Sequence, residues 1–481
     1  MLADPEFSGL TRDCDMRNVL SARYASPKMN IIWSQEDKIV LERRLWVAVL
    51  KAQRMLGLPI FDGDIEDYER TIDTVNLESI DKRERDLRHD VKAKIEEFNA
   101  LAGHELVHLG MTSRDLTDNI EQVQIMRSLH LVRDRTVALI GRLARRSIEW
   151  KDLDICGRTH NVPAQTTTLG KRFSMWLEEL LLAFETLEQL IETYPLRGIK
   201  GPVGTQQDML ALLGDKKLVG ELENIVCAHF DFDRPLISVG QVYPRSLDYQ
   251  VIAQLAQLAS APANFAKTLR LMAGQQQAGE GFKEGQTGSS AMPHKMNSRT
   301  CERIGGFLNI LRGHVTMAGG LLGDQWYEGD VSCSIVRRVV LPDAFFAIDG
   351  LLEASMTVLD EMGLFEPMIG RELAAELPFL CTTSFLTAAT ERGTGREVAH
   401  RIIKTHATRA VAIVRDGGSS DCLAQSLGGD SDFPLSIEEI RDLIVPDHGN
   451  AVDQVELVAQ MAEVVLERYP DAVHYKPAPI L

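Results

Sequence analysis

The stretch GSSAMPHKMN, residues 288–297, sets two serines, a histidine, a lysine and an asparagine within ten positions. Glycines at 274, 279, 281, 285 and 288 lead into it. This composition suits a lid that closes over an active site, and equally an ordinary solvated loop. As a lid, its successive backbone N–H groups, with Lys295 and Asn297, would cradle an anion. No GxSxG elbow surrounds Ser289 or Ser290, so an α/β-hydrolase is not indicated. A second polar group, GRTHNVPAQTTTLGKRF from residue 157, places His160 among hydroxyls and amides able to fix its tautomer. His89 lies between Arg88 and Asp90, as a catalytic group or as part of a charge cluster at a helix start. His104 and His108 spell HExxH, the letters of a zinc-protease motif. Gly103 and Gly110 fence that stretch into a short piece, while the motif needs a firm helix and a third ligand. No metal is expected.

Long helices are the elements available to position these groups. Ser34 and Asp37 have capping-box spacing, Leu41, Leu45, Ala48, Val49 and Ala52 follow at helical period, and Gly57 and Pro59 supply a stop. Thr112 or Ser113 caps a far longer segment whose apolar stripe runs through Leu116, Ile120, Val123, Leu129, Ala138, Ile140 and Leu143. Further helices are predicted over 171–194, over 247–274 with a proline kink, after Glu302 and after Arg338. Strands are expected only as short pieces near 197–205 and 234–243. The fold class is all-α, in three mainly helical domains: 1–111, a central long-helix bundle over 112–364 carrying a loop at 282–297, and 365–481. Helices this long need partners, so a homo-oligomeric bundle is expected.

The 481 residues are 44% hydrophobic and 25% charged, which excludes wholesale disorder. A formal net charge of −17 argues against general nucleic-acid binding, and no apolar run approaches the ~20 residues that cross a bilayer. The seven cysteines are scattered without a CxxC pair, as in reduced cytosolic proteins. No secretory signal is visible at the N-terminus, so a cytoplasmic location is expected.

GSSAMPHKMN closely resembles the signature loop of the fumarase/aspartase superfamily, roughly GSSxMPxKxNP. Blocks elsewhere resemble the adenylosuccinate lyase family within it: SARYAS at 21–26, RHDV at 88–91, GMTSRDLTDN at 110–119 and THNVPAQTTTLGKR at 159–172. GQVYPRSLD at 240–248, CERIGG at 301–306 and SIVRRVVLPDAFF at 334–346 continue the match in the same order. The resemblance implies a homotetramer, without metal or cofactor, that eliminates fumarate from succinylated purine nucleotides. Ser289 would be the general base and His160 the general acid, with His89 orienting beside it. Lys295 and Asn297 would hold the fumaryl carboxylate. Arg23, Tyr24, Ser334 and Arg338 would bind the phosphate, and Arg88, Asp90, Thr112, Ser113, Gln241 and Arg303 would make further substrate contacts. Residues so dispersed suggest a composite site, and the resemblance implies that three subunits meet to build it. The nearest rival is a carboxymuconate cycloisomerase; another is a catalytically inert helical tetramer.

Two departures stand out. The family commonly has an arginine where YEGDVSCS carries Gly329, so one phosphate cation is missing, with another arginine, Arg337 for instance, or a backbone N–H as the expected substitute. An arginine restored at 329 would then tighten nucleotide binding. The loop also ends MNS, without the proline that would stiffen its exit.

Overall fold

The computed structural model describes residues 18–281, 291, 292 and 294–478. Ser34 caps the helix Gln35–Met55, its hydroxyl accepting from the Asp37 amide at 3.1 Å. Asp115 closes the start of Ser113–Glu149 by accepting from the Thr112 amide at 2.8 Å. That helix runs 37 residues, about 55 Å at 1.5 Å per residue. The segment after it returns as Leu169–Thr193, started by the Thr168 hydroxyl on the Lys171 amide.

The helix Ser332–Glu361 lies alongside Ser113–Glu149 in the same direction. Cross-links fix this register along its length: Arg114 to Ser334, Glu121 to Arg337, Arg135 to Glu353 and Arg142 to Asp360. Arg299–Gly319 packs against Ser332–Glu361 and completes the long-helix layer. The core is continuous through these helices, with Phe345, Leu116, Leu177 and Leu255 fully buried. A separate core, around Phe385, Leu423 and Ile440, sits under the helices between 381 and 440, whereas Ala451–Arg468 returns to pack on the bundle.

The predicted 247–274 helix is two helices, Ser246–Leu258 and Ser260–Gly274. Pro262 stands in the first turn of the second, where its missing N–H leaves no bond unmade. The last two long helices begin earlier than expected, at Arg299 and at Ser332.

The strands also lie elsewhere than expected. Near the expected strands there is an isolated bridge, between Leu196, just before 197–205, and Pro235. Gly198, Gly201 and Gly204 take positive φ, and the chain wraps around the buried Asp115 carboxylate, which accepts from the Lys200 and Gly201 amides. The main hairpin is instead Asp154–Thr159 with Val162–Thr168, antiparallel. Its two turn residues, His160 and Asn161, both have positive φ, as tight hairpin turns require. A short pair, Ala278–Gly279 with Gly363–Leu364, ties the approach to the signature loop to the end of Ser332–Glu361.

Candidate active site

The parallel register of the two long helices sorts the predicted site residues by the end of the bundle they occupy. At the end where both helices begin, His89 caps Asp90–Ala102, its Nδ1 accepting from the Lys92 amide at 3.3 Å. Arg88 stands one residue before it in left-handed conformation. Asp90 Oδ2 lies 3.9 Å from Arg338 Nη2, and Thr112 and Ser113 start the long helix nearby. Gln241 is held by its amide donating to the Glu328 carbonyl at 2.7 Å, next to Gly329. Ser334 and Arg338, four apart on one helix, face this same region.

The opposite end carries Lys295 and Asn297, with Arg303 one turn into Arg299–Gly319. Glu280, buried, accepts from the Thr300 and Cys301 amides and so fixes the start of that helix. A cleft of about 800 Å³ lies beside it, bounded by Gly281, His294, Met296, Glu361, Leu364 and Phe365. Ser289, the predicted base, lies outside the described residues. His160 caps the hairpin at the same end, exposed. Arg158 secures the hairpin by pairing with Glu372, which also accepts from Gln277 at 2.5 Å. Arg23 and Tyr24 sit between the ends. Their segment is pinned to Ser332–Glu361 by Asn18 on Asp343 and Ser26 on Asp349, with Tyr24 edge-on to Phe307 at 5.2 Å.

One subunit therefore brings together Asp90, Thr112, Ser113, Gln241, Ser334 and Arg338. It holds His160, Lys295 and Asn297 roughly the length of a helix away, some 45–55 Å.

Beneath the first cluster lies a buried ionic network that the apolar stripe of the long helix does not reveal. Arg337 reaches Glu121 at 2.6 Å and Asp248 at 2.7 Å, and donates to the Tyr243 hydroxyl. Arg245 pairs with Asp118 at 3.0 Å, Lys38 with Glu121 at 3.1 Å, and Arg197 with Asp115. Burial alone would lower the Arg337 pKa, but Asp248 and Glu121 outweigh it and hold it well above its ordinary value. Burial would likewise raise Glu121, yet Arg337 and Lys38 pull it well below the usual carboxylate range. The signal was present as Asp115, Asp118 and Glu121, three acids at three-residue spacing on one helix face.

This network corrects one expectation. Arg337 is saturated by carboxylates and 3% exposed, so it is not the substitute for the cation missing at Gly329. A side chain at 329 is itself opposed: φ is +146°, and a Cβ there meets Val242 Cγ2 at 3.1 Å and Gln241 Cβ at 3.2 Å.

The HELVH histidines are engaged separately. His104 Nε2 lies 2.8 Å from Asp67, and His108 Nδ1 accepts from Trp46 Nε1 at 3.1 Å. Burial lowers the His108 pKa to about 4, keeping the ring neutral and able to accept.

A family model described as a lyase matches residues 22–313. The adenylosuccinate lyase of Saccharomyces cerevisiae is 34% identical over 451 residues, 92% of this chain and 93% of the relative. That of Schizosaccharomyces pombe is 33% identical over 88% of this chain and 89% of its own length. That of Archaeoglobus fulgidus is 29% identical over 92% and 98%. Among solved structures, the 3-carboxy-cis,cis-muconate lactonizing enzyme of Pseudomonas putida superposes with a TM-score of 0.80 at 18% identity, covering 93% of this chain and all of that one. A fumarate lyase of Mesorhizobium sp. BNC1 gives 0.77 at 21% identity, covering 91% and 98%. The fold they share is the all-α long-helix bundle seen here, and by its matched length and identity the chain belongs to the adenylosuccinate lyase family.

Proposed function

We propose that the chain eliminates fumarate from adenylosuccinate, giving AMP, and from succinylated aminoimidazole carboxamide ribotide (SAICAR), giving AICAR, in purine nucleotide biosynthesis. The observation that carries this reading is 34% identity across 92% of the chain to a relative that bears the activity in its name.

β-Elimination needs a base for the Cβ proton, a place for the carbanion's charge, and an acid for the leaving nitrogen. Ser289 takes the proton, and the resulting charge spreads onto a carboxylate held by Lys295 and Asn297. The C–N bonding pair then departs to nitrogen, which His160 protonates. Histidine is the side chain suited to donating a proton near neutral pH. His89 orients the reacting groups; Arg23, Tyr24, Ser334 and Arg338 take the phosphate; and Arg88, Asp90, Thr112, Ser113, Gln241 and Arg303 contact the rest of the substrate. No metal or cofactor enters these steps.

The site is completed by other copies of the chain in a cytoplasmic homotetramer. Two features support this. His160 and Lys295 stand about a helix length from Ser334 within one subunit. Exposed apolar side chains also line the long helices, Leu182 at 61%, Met317 at 42% and Ile335 at 76%, which association would cover.

Incubation with adenylosuccinate is expected to release fumarate and AMP in equal amounts. No fumarate, but turnover of a carboxylated muconate or its lactone, would assign the chain to the cycloisomerase reaction instead.

A further inference from the structure

We propose that Arg114 supplies the phosphate-binding cation that Gly329 does not. The inference rests on the adenylosuccinate reading above, in which Ser334 faces the phosphate. Arg114 Nη2 donates to Ser334 Oγ at 2.7 Å, so its guanidinium touches the hydroxyl assigned to that group. Its Nη1 donates to Asp118 Oδ1 at 3.0 Å, which fixes the plane of the fork. A guanidinium carries five N–H donors in a rigid array suited to phosphate oxygens, and these two bonds leave the remainder available.

The charges around Asp118 point the same way. Lys38, Arg114, Arg245 and Arg337 surround Asp118, Glu121 and Asp248, and Lys38 has Glu42 beside it as well. Asp118 is shared between Arg114, Arg245 and Arg337. Of the three arginines that share Asp118, Arg114 lies nearest the surface: its side chain is 12% exposed, against 3% for Arg337 and 5% for Arg245. Arg114 also lies in the first turn of Ser113–Glu149, where the helix dipole adds to the attraction for an anion. Arg338 stands one turn beyond Ser334 on the same helix. At 329, by contrast, the positive φ and the tight contacts of a Cβ with Val242 and Gln241 oppose any side chain.

The test compares adenylosuccinate with its 5′-dephosphorylated counterpart, succinyladenosine. In Arg114→Gln, KM for adenylosuccinate is expected to rise on the order of 50-fold with kcat nearly unchanged, the loss of a charge-assisted contact. Inhibition by AMP should weaken by a similar factor, while kcat/KM on succinyladenosine stays as it was. Arg114→Lys keeps the charge, loses the fork, and is expected to fall between. Adding Gly329→Arg to Arg114→Gln should restore nothing. Asp118 keeps Arg245 in these variants, so assembly is expected to persist, checked by sedimentation. Equal losses on both substrates would show a merely structural role and overturn the proposal. So would an unchanged KM and AMP inhibition in Arg114→Gln, and either outcome would leave the lyase reading intact. Failure of the unaltered protein to release fumarate would instead remove the reading on which the proposal rests.

Discussion

Ser289→Ala is expected to lower fumarate release by about 10²- to 10⁴-fold, the range lost with a positioned general base. Substrate affinity should change little, because Lys295, Asn297 and the phosphate contacts remain. The oligomer should also stay assembled, since the change removes one hydroxyl from a polar stretch of sequence and no apolar side chain. Steady-state fumarate release, substrate binding by calorimetry and sedimentation separate these statements. A serine hydroxyl is intrinsically a poor base, so the assignment depends on cationic and N–H surroundings that favour its ionised form. Near-normal turnover in the alanine variant would move the base to another group.

Arg337→Met is expected to destabilise the protein by about 3–5 kcal/mol, the usual consequence of removing one partner from a buried ionic network. Glu121 and Asp248 would lose their nearest cation while remaining enclosed, at side-chain exposures of 13% and 2%. Tyr243 would lose the guanidinium that its hydroxyl accepts from. Because Tyr243 and Asp248 anchor the segment that carries Gln241, nucleotide affinity should fall as well. The pH dependence follows from the depressed Glu121 carboxyl. Its pairing stabilises the native state above the ordinary carboxylate range and is lost as pH falls through and below it. The deficit of Arg337→Met relative to the unaltered protein should therefore be full near neutrality and shrink in acid, as read from urea midpoints. A pH-independent deficit would place the effect in packing alone.

The helices were legible because their information is local. Ser34, Thr168 and the apolar stripe through Leu116, Ile120 and Val123 each specify helix with neighbours a few residues away. The hairpin at 154–168 was read only as a polar, turn-rich stretch, because its register depends on pairing across the His160–Asn161 turn. The expected strand near 197–205 failed for a related reason: its backbone N–H groups satisfy the Asp115 carboxylate and do not form a ladder. Among site residues, the resemblance singled out groups at both ends of the bundle. Their separation within one subunit follows from the direction of two helices more than two hundred residues apart in sequence, which no motif records. Arg114 carries no signal in the sequence because its significance lies in a contact with Ser334 across that same distance.

The central claim is that chemistry at one end of the bundle meets substrate-binding groups from the other end of a different subunit. Mixing two nearly inactive variants, Ser289→Ala and His89→Gln, under conditions that dissociate and reassemble the oligomer tests this directly. If each site draws these two residues from different chains, random reassortment of an equal mixture returns about a quarter of the native activity, the fraction of sites that receive both unaltered residues. If both residues serve a site within one chain, no hybrid contains an intact site, and activity stays at the level of the separate variants.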